Sequence, residues 1–262
     1  FFYKSWSKEN LPPSITAVGN QVYCPLSQIK VAESFTITDP DDTEVDAFYI
    51  QISTGYVNGE DSLDLTGIHP NIDTDWSNIE GKLTLKGFGN VPISYVDIIA
   101  AVKDVVFSST NVNIQGERFF SYTIGDANYL PSTGHFYQYV PDLGITWSNA
   151  KAAAETKTYY GLQGYLATIT SIEEAILSGE QAAGAGWIGG SDEQTEGTWI
   201  NQNGNSVGFT YWDVGQPDNF NNSDFGAFRT NSGLWLNITN NFAYRFVMEM
   251  NDLRSDTQII CR

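Results

Sequence analysis

The sequence predicts two consecutive folds, an all-β sandwich over residues 12–125 and an α+β domain over residues 126–250. The chain has 262 residues, more than the ~150 of an average domain. Its first half has short runs of β-branched and aromatic residues, separated by Gly, Asp and Asn turns about every 8–12 residues, which is typical of a sandwich. The second half begins with two helical patterns, and short strands and long polar loops follow them.

In the first half, residues 47–53, 82–87 and 118–125 alternate or cluster apolar residues in the way that strands do. Residues 95–106 are the exception, because their apolar residues recur with a period near 3.6. We therefore expect a short helix or turn there. Residues 1–11 precede a Pro-Pro pair and are interpreted as a linker or the remnant of an upstream domain, which makes the chain part of a longer multi-domain protein.

In the second half, Trp147–Tyr160 is Ala-rich with apolar residues near a helical period. Ser171–Ala182 begins with Ser-Ile-Glu-Glu, a capping box with Ser171 at the N-cap and Glu174 three residues later. Strand-like runs close the domain, and residues 251–262 form a tail without an assigned structure.

The charge balance excludes several classes of partner. Asp and Glu number 31 against 13 Lys and Arg, a net charge of −18, which repels nucleic-acid phosphates and anionic lipids. Clustered carboxylates favour metal cations instead. No apolar run reaches the ~18 residues of a transmembrane helix, so we expect neither nucleic-acid binding nor direct membrane insertion.

The sequence shows no signature of a catalyst. Its two histidines, His69 and His135, have no Ser or Cys nucleophile motif beside them, and no phosphate-binding loop or HExxH motif occurs. We predict that the protein is not an enzyme. Its many carboxylates leave a glycan-processing enzyme as an open alternative.

Several motifs over residues 133–249 occur together in order. They are W147-x-x-A150, LQGYLATITSIEE (162–174), WIGGSDEQTEGTW (187–199), GQPDN (215–219), and W235 followed by FVME (246–249). The region resembles a C-type lectin-like domain. The resemblance implies a fold in which the termini meet in one sheet, two helices flank it, and a long loop region carries the ligand site. In the sugar-binding members, Ca²⁺ in this loop region also binds two vicinal hydroxyls of the sugar.

The resemblance also implies the roles of individual residues. Gln216-Pro217-Asp218 matches the form that the family associates with galactose-type sugars, with Pro217 as a cis proline. Phe220 stands where galactose binders often have an aromatic residue. The implied Ca²⁺ ligands, which also bind the sugar, are Gln216, Asp218, Asp224 and Asn237.

The chain departs from the family at two places. The family's Trp-Asn-Asp is Trp235-Leu236-Asn237 here, and Leu236 cannot bind calcium, so a weaker calcium affinity is expected. The family's second calcium site retains Asp192 and Glu196 but has Asn219 and Phe225 at its other positions. A calcium-independent domain of the same fold that binds protein or ice is therefore the alternative.

Two further sites are predicted outside the sugar site. Residues 12–125 resemble a cadherin-like (Ig-like) module of bacterial surface adhesins, which implies a calcium site at Asp39, Asp41 and Asp42; an ordinary solvated Asp-Pro turn is the alternative. The lectin-like resemblance implies that the C-terminus lies near the domain junction, so Cys24 and Cys261 are candidates for a disulfide.

These expectations combine into one functional prediction. The chain is a fragment of an extracellular adhesin on a bacterial cell surface, in which a β-sandwich spacer carries a C-type lectin-like domain. That domain binds cell-surface or environmental glycans with Ca²⁺ as the cofactor, with galactose-type sugars favoured, and so mediates cell adhesion.

Overall fold

The computed structural model of the protein describes residues 11–251. Its buried apolar side chains form one cluster within residues 15–124 and two clusters within residues 127–250. We call residues 14–124 the N-terminal half and residues 128–251 the C-terminal half. No helix in the described part of the chain has the length and apolar character needed to cross a membrane.

The N-terminal half consists of strands and a single helix. Its strands are β1 (Ser14–Val18), β2 (Ile29–Lys30), β3 (Ser34–Thr38), β4 (Glu44–Val45), β5 (Ala47–Thr54), β6 (Asp61–Leu65), β7 (Ile72–Ser77), β8 (Lys82–Gly87), β9 (Ile93–Ser94), β10 (Val105–Ser109) and β11 (Phe119–Ile124). They pair antiparallel in the orders β11-β5-β8-β7, β2-β10-β6, β1-β3 and β4-β9. The half is therefore mostly β, built around one core.

Of the short helix or turn predicted within residues 95–106, the structure has a helix, α1 (Tyr95–Val102). Ser94 is its N-cap, and its hydroxyl accepts a hydrogen bond from the Asp97 amide at 3.1 Å. Ile98, Ala101 and Val102 point into the core, as the 3.6-residue period requires. The predicted strands near 47–53, 82–87 and 118–125 are likewise confirmed, as β5, β8 and β11.

The C-terminal half contains one mixed sheet. Its strands are β12 (Asn128–Leu130), β13 (His135–Ile145), β14 (Thr158–Tyr159), β15 (Leu162–Leu166), β16 (Gly186–Ser191), β17 (Ile200–Asn201), β18 (Phe225–Phe228), β19 (Trp235–Ile238) and β20 (Tyr244–Asn251). The main order is β12-β13-β20-β16-β18-β19. β13 and β20 pair antiparallel with His135 opposite Asn251. The two ends of this half therefore meet in one sheet, as expected.

Both predicted helices exist but are shorter than predicted. α2 (Trp147–Thr156) ends before Tyr160 because Thr158–Tyr159 leave the helix to pair with β15. α3 (Ile172–Ala175) begins after its N-cap Ser171 and continues as a π-helical turn over Ile176–Glu180. Within that turn a Cβ on Gly179 would lie 2.8 Å from Gly233 Cα, so only glycine permits this approach.

Polar contacts join the two halves. The Gln181 side chain is 2% exposed, and its Nε2 donates to the carbonyls of Ile52 at 3.0 Å and Glu80 at 2.7 Å. Lys82 Nζ contacts the Glu80 carboxylate at 3.0 Å within the N-terminal half, and at 2.8 Å the largely exposed carboxylate of Asp126 in the segment between the halves. The buried hydrogen bonds of Gln181 are costly to break, so they fix the position of one half against the other.

Candidate functional site

Along the chain, the predicted sugar-site loop lies between Trp212 and β18. Its Gln216–Pro217 peptide bond is cis, as predicted. Asn219, Asn221 and Asn222 all have positive φ, between 48° and 59°. Asparagine tolerates this left-handed conformation better than most residues, so the Asn-rich sequence suits the tight turns of the loop.

Asn237 on β19 holds this loop in place. Its Oδ1 accepts from the Asp218 amide at 3.1 Å, and its Nδ2 donates to the Ser223 carbonyl at 2.8 Å. Its own amide donates to Gln216 Oε1 at 3.0 Å. Three of the predicted ligands therefore lie in one hydrogen-bonded cluster. Each amide oxygen retains a second lone pair for a cation or a hydroxyl.

The remaining predicted residues lie on both sides of this cluster. Asp218 is exposed, and its Oδ1 accepts from the Phe220 amide at 3.0 Å. Asp224 is 8% exposed, and its Oδ2 accepts from Asn222 Nδ2 at 2.8 Å. Phe220, whose backbone amide bonds to the Asp218 carboxylate, is 70% exposed. An exposed aromatic ring is suited to contact the apolar face of a sugar.

Leu236, the departure from the family motif, contributes to packing. It is partly buried against the core that includes Trp147 and Phe225. The neighbouring indoles of Trp199, Trp212 and Trp235 pack edge to face, with ring centroids 4.7 and 5.6 Å apart.

The buried residues Asp192 and Asp224 are joined through their backbones beside the loop. Asp192 is 4% exposed, and its amide donates to the Asp224 carbonyl at 3.0 Å. Asp192 Oδ2 accepts from the Gly197 amide at 2.9 Å, whereas Oδ1 is buried without a hydrogen-bond partner. Burial raises the pKa of the Asp192 carboxyl, and the nearby charge of Asp224 raises it further. A buried carboxylate oxygen without a partner fits a cation at this position.

The predicted acidic cluster of the N-terminal half also comes together. Oxygen atoms of Asp39, Asp41 and Asp42 lie within 4.8 Å of one another. Asp39 Oδ1 accepts from the amides of Asp41 at 3.0 Å and Asp42 at 2.9 Å, and its Oδ2 accepts from the Tyr95 hydroxyl at 2.8 Å. These bonds occupy Asp39 as the acceptor of a turn, and calcium binding here stays a prediction.

A cluster that the sequence did not predict is formed by Glu174, Glu249 and His135. Glu174 and Glu249 are 1% and 2% exposed, and with His135 they bring ligand atoms within 4.8 Å of one another. His135 Nδ1 contacts Glu249 Oε1 at 2.6 Å, and the Tyr137 hydroxyl donates to Glu174 Oε1 at 2.6 Å. The one indication of this cluster in the sequence is Glu249, a charged residue at the end of the apolar run FVME (246–249).

Of the two cysteines of the predicted disulfide, the structure describes Cys24 alone. Cys24 is exposed in the segment between β1 and β2. Cys261 lies outside the described residues, so the pairing stays a prediction.

No family model matches the chain. Lectin BRA-3 from Megabalanus rosa is 33% identical over 114 residues, which cover 42% of this chain and 68% of that protein. An alpha-N-acetylgalactosamine-specific lectin from Patiria pectinifera is 33% identical over 128 residues, 45% of this chain and 75% of that protein. Halomucin from Haloquadratum walsbyi is 30% identical over 198 residues, 72% of this chain, but the chain spans only about 2% of its length.

Among solved structures, the C-type lectin CEL-I from Cucumaria echinata is 29% identical, with a TM-score of 0.42 over 49% of this chain and 97% of that one. A calcium-independent type II antifreeze protein is 20% identical, with a TM-score of 0.43 over 48% of this chain and 92% of that one. The identity and coverage shared with the Megabalanus and Patiria lectins show the family. The chain belongs to the C-type lectin-like family.

Proposed function

We propose that the C-terminal half binds glycans with the help of Ca²⁺, and that it prefers galactose-type sugars. The observation that carries the proposal is the convergence of Gln216, Asp218 and Asn237 in one hydrogen-bonded cluster. The exposed Phe220 is joined to it through its backbone amide. The similarity to a lectin whose name states α-N-acetylgalactosamine specificity supports the choice of sugar.

Each residue has a distinct role in this proposal. The carboxylates of Asp218 and Asp224 and the side-chain oxygens of Gln216 and Asn237 would hold Ca²⁺, which would supply coordination to two vicinal sugar hydroxyls. The remaining lone pairs of these oxygens would accept hydrogen bonds from the same hydroxyls. Phe220 covers the apolar face of the sugar ring. No catalysed reaction is part of the proposal.

The carboxylates near the loop differ in how they could bind a cation. Asp192 and Asp224 are buried, and the Asp192 oxygen without a partner favours a cation between them. Asp218 is exposed to solvent, so it remains accessible to a ligand from outside. Because Leu236 and Asn237 bring no carboxylate to the site, we expect a weak calcium affinity.

We further propose that the N-terminal half is a cadherin-like spacer in an extracellular adhesin of a bacterial surface. A single shallow sugar site binds with a Kd on the order of millimolar, about −4 kcal/mol. Useful adhesion therefore requires many copies, and a spacer that presents the binding domain away from the cell surface suits that requirement.

A glycan array in calcium and in chelator tests the proposal. Wild type and Glu155→Gln, which changes an exposed carboxylate on α2 away from the loop, are expected to bind galactose-type glycans in calcium alone. Asp218→Asn keeps the size of the side chain but removes its charge, and it is expected to lose this binding. Binding that persists in chelator and in Asp218→Asn would instead support a calcium-independent protein or ice ligand.

A further inference from the structure

A pocket of about 260 Å³ lies where the two halves meet, and it shares no residue with the sugar-site loop. We call it the junction pocket. An engineered apolar cavity of about 150 Å³ binds benzene, so the junction pocket has room for a molecule with one ring. Its wall includes Glu80 and Lys82 of the N-terminal half and Tyr139, Ser178, Ala183 and Arg245 of the C-terminal half.

Arg245 lies on β20 where the pairing of this strand with β13 is interrupted. The register shifts between Val140 and Ile145 of β13, whose partners are the two neighbours of Arg245 on β20. A Cβ on Gly184 would lie 2.7 Å from Arg245 Nη1, so any larger residue there would displace the guanidinium. The interrupted pairing and the glycine together leave space for this long side chain at the wall of the pocket.

The positive charge of Arg245 has no carboxylate partner, although the chain has 31 acidic and 13 basic residues. Of the three arginines within residues 11–251, Arg118 and Arg229 each pair with an aspartate, at 2.6 and 2.5 Å. Arg245 forms no ion pair with any side chain that the structure describes. Its Nη1 donates to the Tyr139 hydroxyl at 3.2 Å, and its Nε is buried without a partner. A guanidinium has five N–H donors in a rigid fork, so most of these donors remain for a ligand.

A second unsatisfied group lines the same pocket. Ser178, in the π-helical turn, is 4% exposed, and its hydroxyl has no hydrogen-bond partner among the described residues. Burying a polar group without a partner is unfavourable. The guanidinium of Arg245 is a donor only, and the hydroxyl of Ser178 is able to donate as well. A hydrogen-bond acceptor in the pocket is therefore the group that satisfies both.

The other charged groups of the pocket favour an acceptor with a single negative charge. Lys82 is 5% exposed, and its Nζ already contacts Glu80 at 3.0 Å and Asp126 at 2.8 Å. These three groups together carry one negative charge, so they repel an anion with two charges, such as sulfate or phosphate, more than one with a single charge. A carboxylate carries one charge and matches the guanidinium fork with two parallel hydrogen bonds.

We propose that the junction pocket binds a small monocarboxylate with at most one ring. Arg245 holds its carboxylate, the Ser178 hydroxyl donates a further hydrogen bond, and the side chains of Leu177 and Ala182 contact the remainder of the molecule. The proposal goes beyond the proposed glycan binding, because this second site uses none of the residues of the sugar-site loop and no Ca²⁺. Since both halves line the pocket, a bound carboxylate also stabilises their packing.

Titration of the full ¹⁵N-labelled chain, followed by NMR, tests the proposal. The probes are acetate and glucuronate, and the neutral control is glucose, each in a buffer without calcium or any other carboxylate. Both probes are expected to shift the Nε–H signal of Arg245 and the amide signals of residues 182–185, whereas glucose leaves them in place. Tighter binding of glucuronate than of acetate would support an acidic sugar as the ligand, and equal binding would support a free carboxylic acid. No shift with either probe, or equal shifts with glucose, would overturn the proposal.

Substitution of Arg245 tests its role in the pocket. Arg245→Lys keeps the positive charge but removes the fork, and it is expected to weaken glucuronate binding about tenfold. The matched variant Lys151→Gln removes a positive charge on α2, outside the pocket, and is expected to keep the wild-type affinity. Wild-type affinity in Arg245→Lys would overturn the proposal.

Ser178→Ala gives a test that does not depend on a perturbed fold. It removes a buried hydroxyl without a partner, so without ligand its free energy of unfolding is expected to be no lower than that of wild type. Its affinity for glucuronate is expected to fall several-fold, and an unchanged affinity would contradict the assignment of this hydroxyl. Asp218→Asn, in the sugar-site loop, is expected to bind glucuronate as wild type does. A failure of the junction pocket is therefore distinguishable from a failure of the proposed function.

Discussion

The substitution Asn237→Asp distinguishes the two roles of this residue, as a structural hydrogen-bond donor and as a cation ligand. Asn237 is 4% exposed, and its Nδ2 donates to the Ser223 carbonyl at 2.8 Å. A carboxylate has no proton to donate, so the variant leaves that carbonyl without a donor and places a negative charge beside it. A buried group that loses its partner costs about 1–3 kcal/mol. The hydrogen bond from the Asp218 amide is retained by the carboxylate.

The expected result in chelator is therefore a loss of about 2 kcal/mol in the free energy of unfolding. For a chain of this size, that corresponds to a Tm about 4–8 °C lower. When calcium is added, Asn237→Asp is expected to gain more stability than wild type, because the added carboxylate strengthens calcium binding. A cation at 100 times its Kd stabilises the folded state by about 2.7 kcal/mol, enough to offset the loss.

Urea unfolding of wild type, Asn237→Asp and Asn237→Leu, each in chelator and in calcium, measures both effects. Asn237→Leu removes both side-chain hydrogen bonds, to the Asp218 amide and the Ser223 carbonyl, without adding a ligand. It is therefore expected to remain destabilised in both conditions. The reasoning would be refuted if Asn237→Asp were as stable as wild type in chelator. It would also be refuted if calcium stabilised Asn237→Leu as much as Asn237→Asp.

Three further predictions concern stability. Gln181→Ala removes a buried amide that donates to two carbonyls of the N-terminal half, and we expect a loss of about 1–3 kcal/mol in urea unfolding. Exposed Gln115→Ala, between β10 and β11, is the comparison at which little change is expected. Tyr137→Phe removes the hydroxyl that donates to the buried Glu174 carboxylate at 2.6 Å, and we expect a loss of about 1.5–3 kcal/mol, which an unchanged urea midpoint would contradict. Burial alone would raise the pKa of the Asp39 carboxyl, but hydrogen bonds from two backbone amides and a tyrosine hydroxyl outweigh it and hold this pKa below 3.8. Because that pKa is lower in the folded state, the stabilisation is present above the unfolded pKa and is lost as the pH falls through the folded value. The stability difference between wild type and Asp39→Ala should therefore shrink below about pH 4, and a difference that is constant from pH 3 to pH 7 would contradict this account.

The sequence alone predicted features whose causes act over a few residues. The apolar period of residues 95–106 placed α1 on the core, and Ser171 marked the start of α3 because an N-cap bonds the amide three residues later. Gln216-Pro217-Asp218 identified the cis bond through the family resemblance. Helix ends were less accurate, since α2 stops at Thr156 where the next residues pair with β15, a choice that depends on the sheet.

The tertiary structure alone decided which distant residues meet. His135 and Glu249 are 114 positions apart and come together because β13 pairs with β20. Asp192 becomes a neighbour of Asp224 only where the end of β16 meets the start of β18, and Gln181 reaches the N-terminal half only when both halves are packed. Spacing along the chain determines periodicity and caps, because those hydrogen bonds are local. Burial, charge pairing and the shape of a groove depend on side chains that the folded chain brings together across the sheets, and the order of residues does not show those distances.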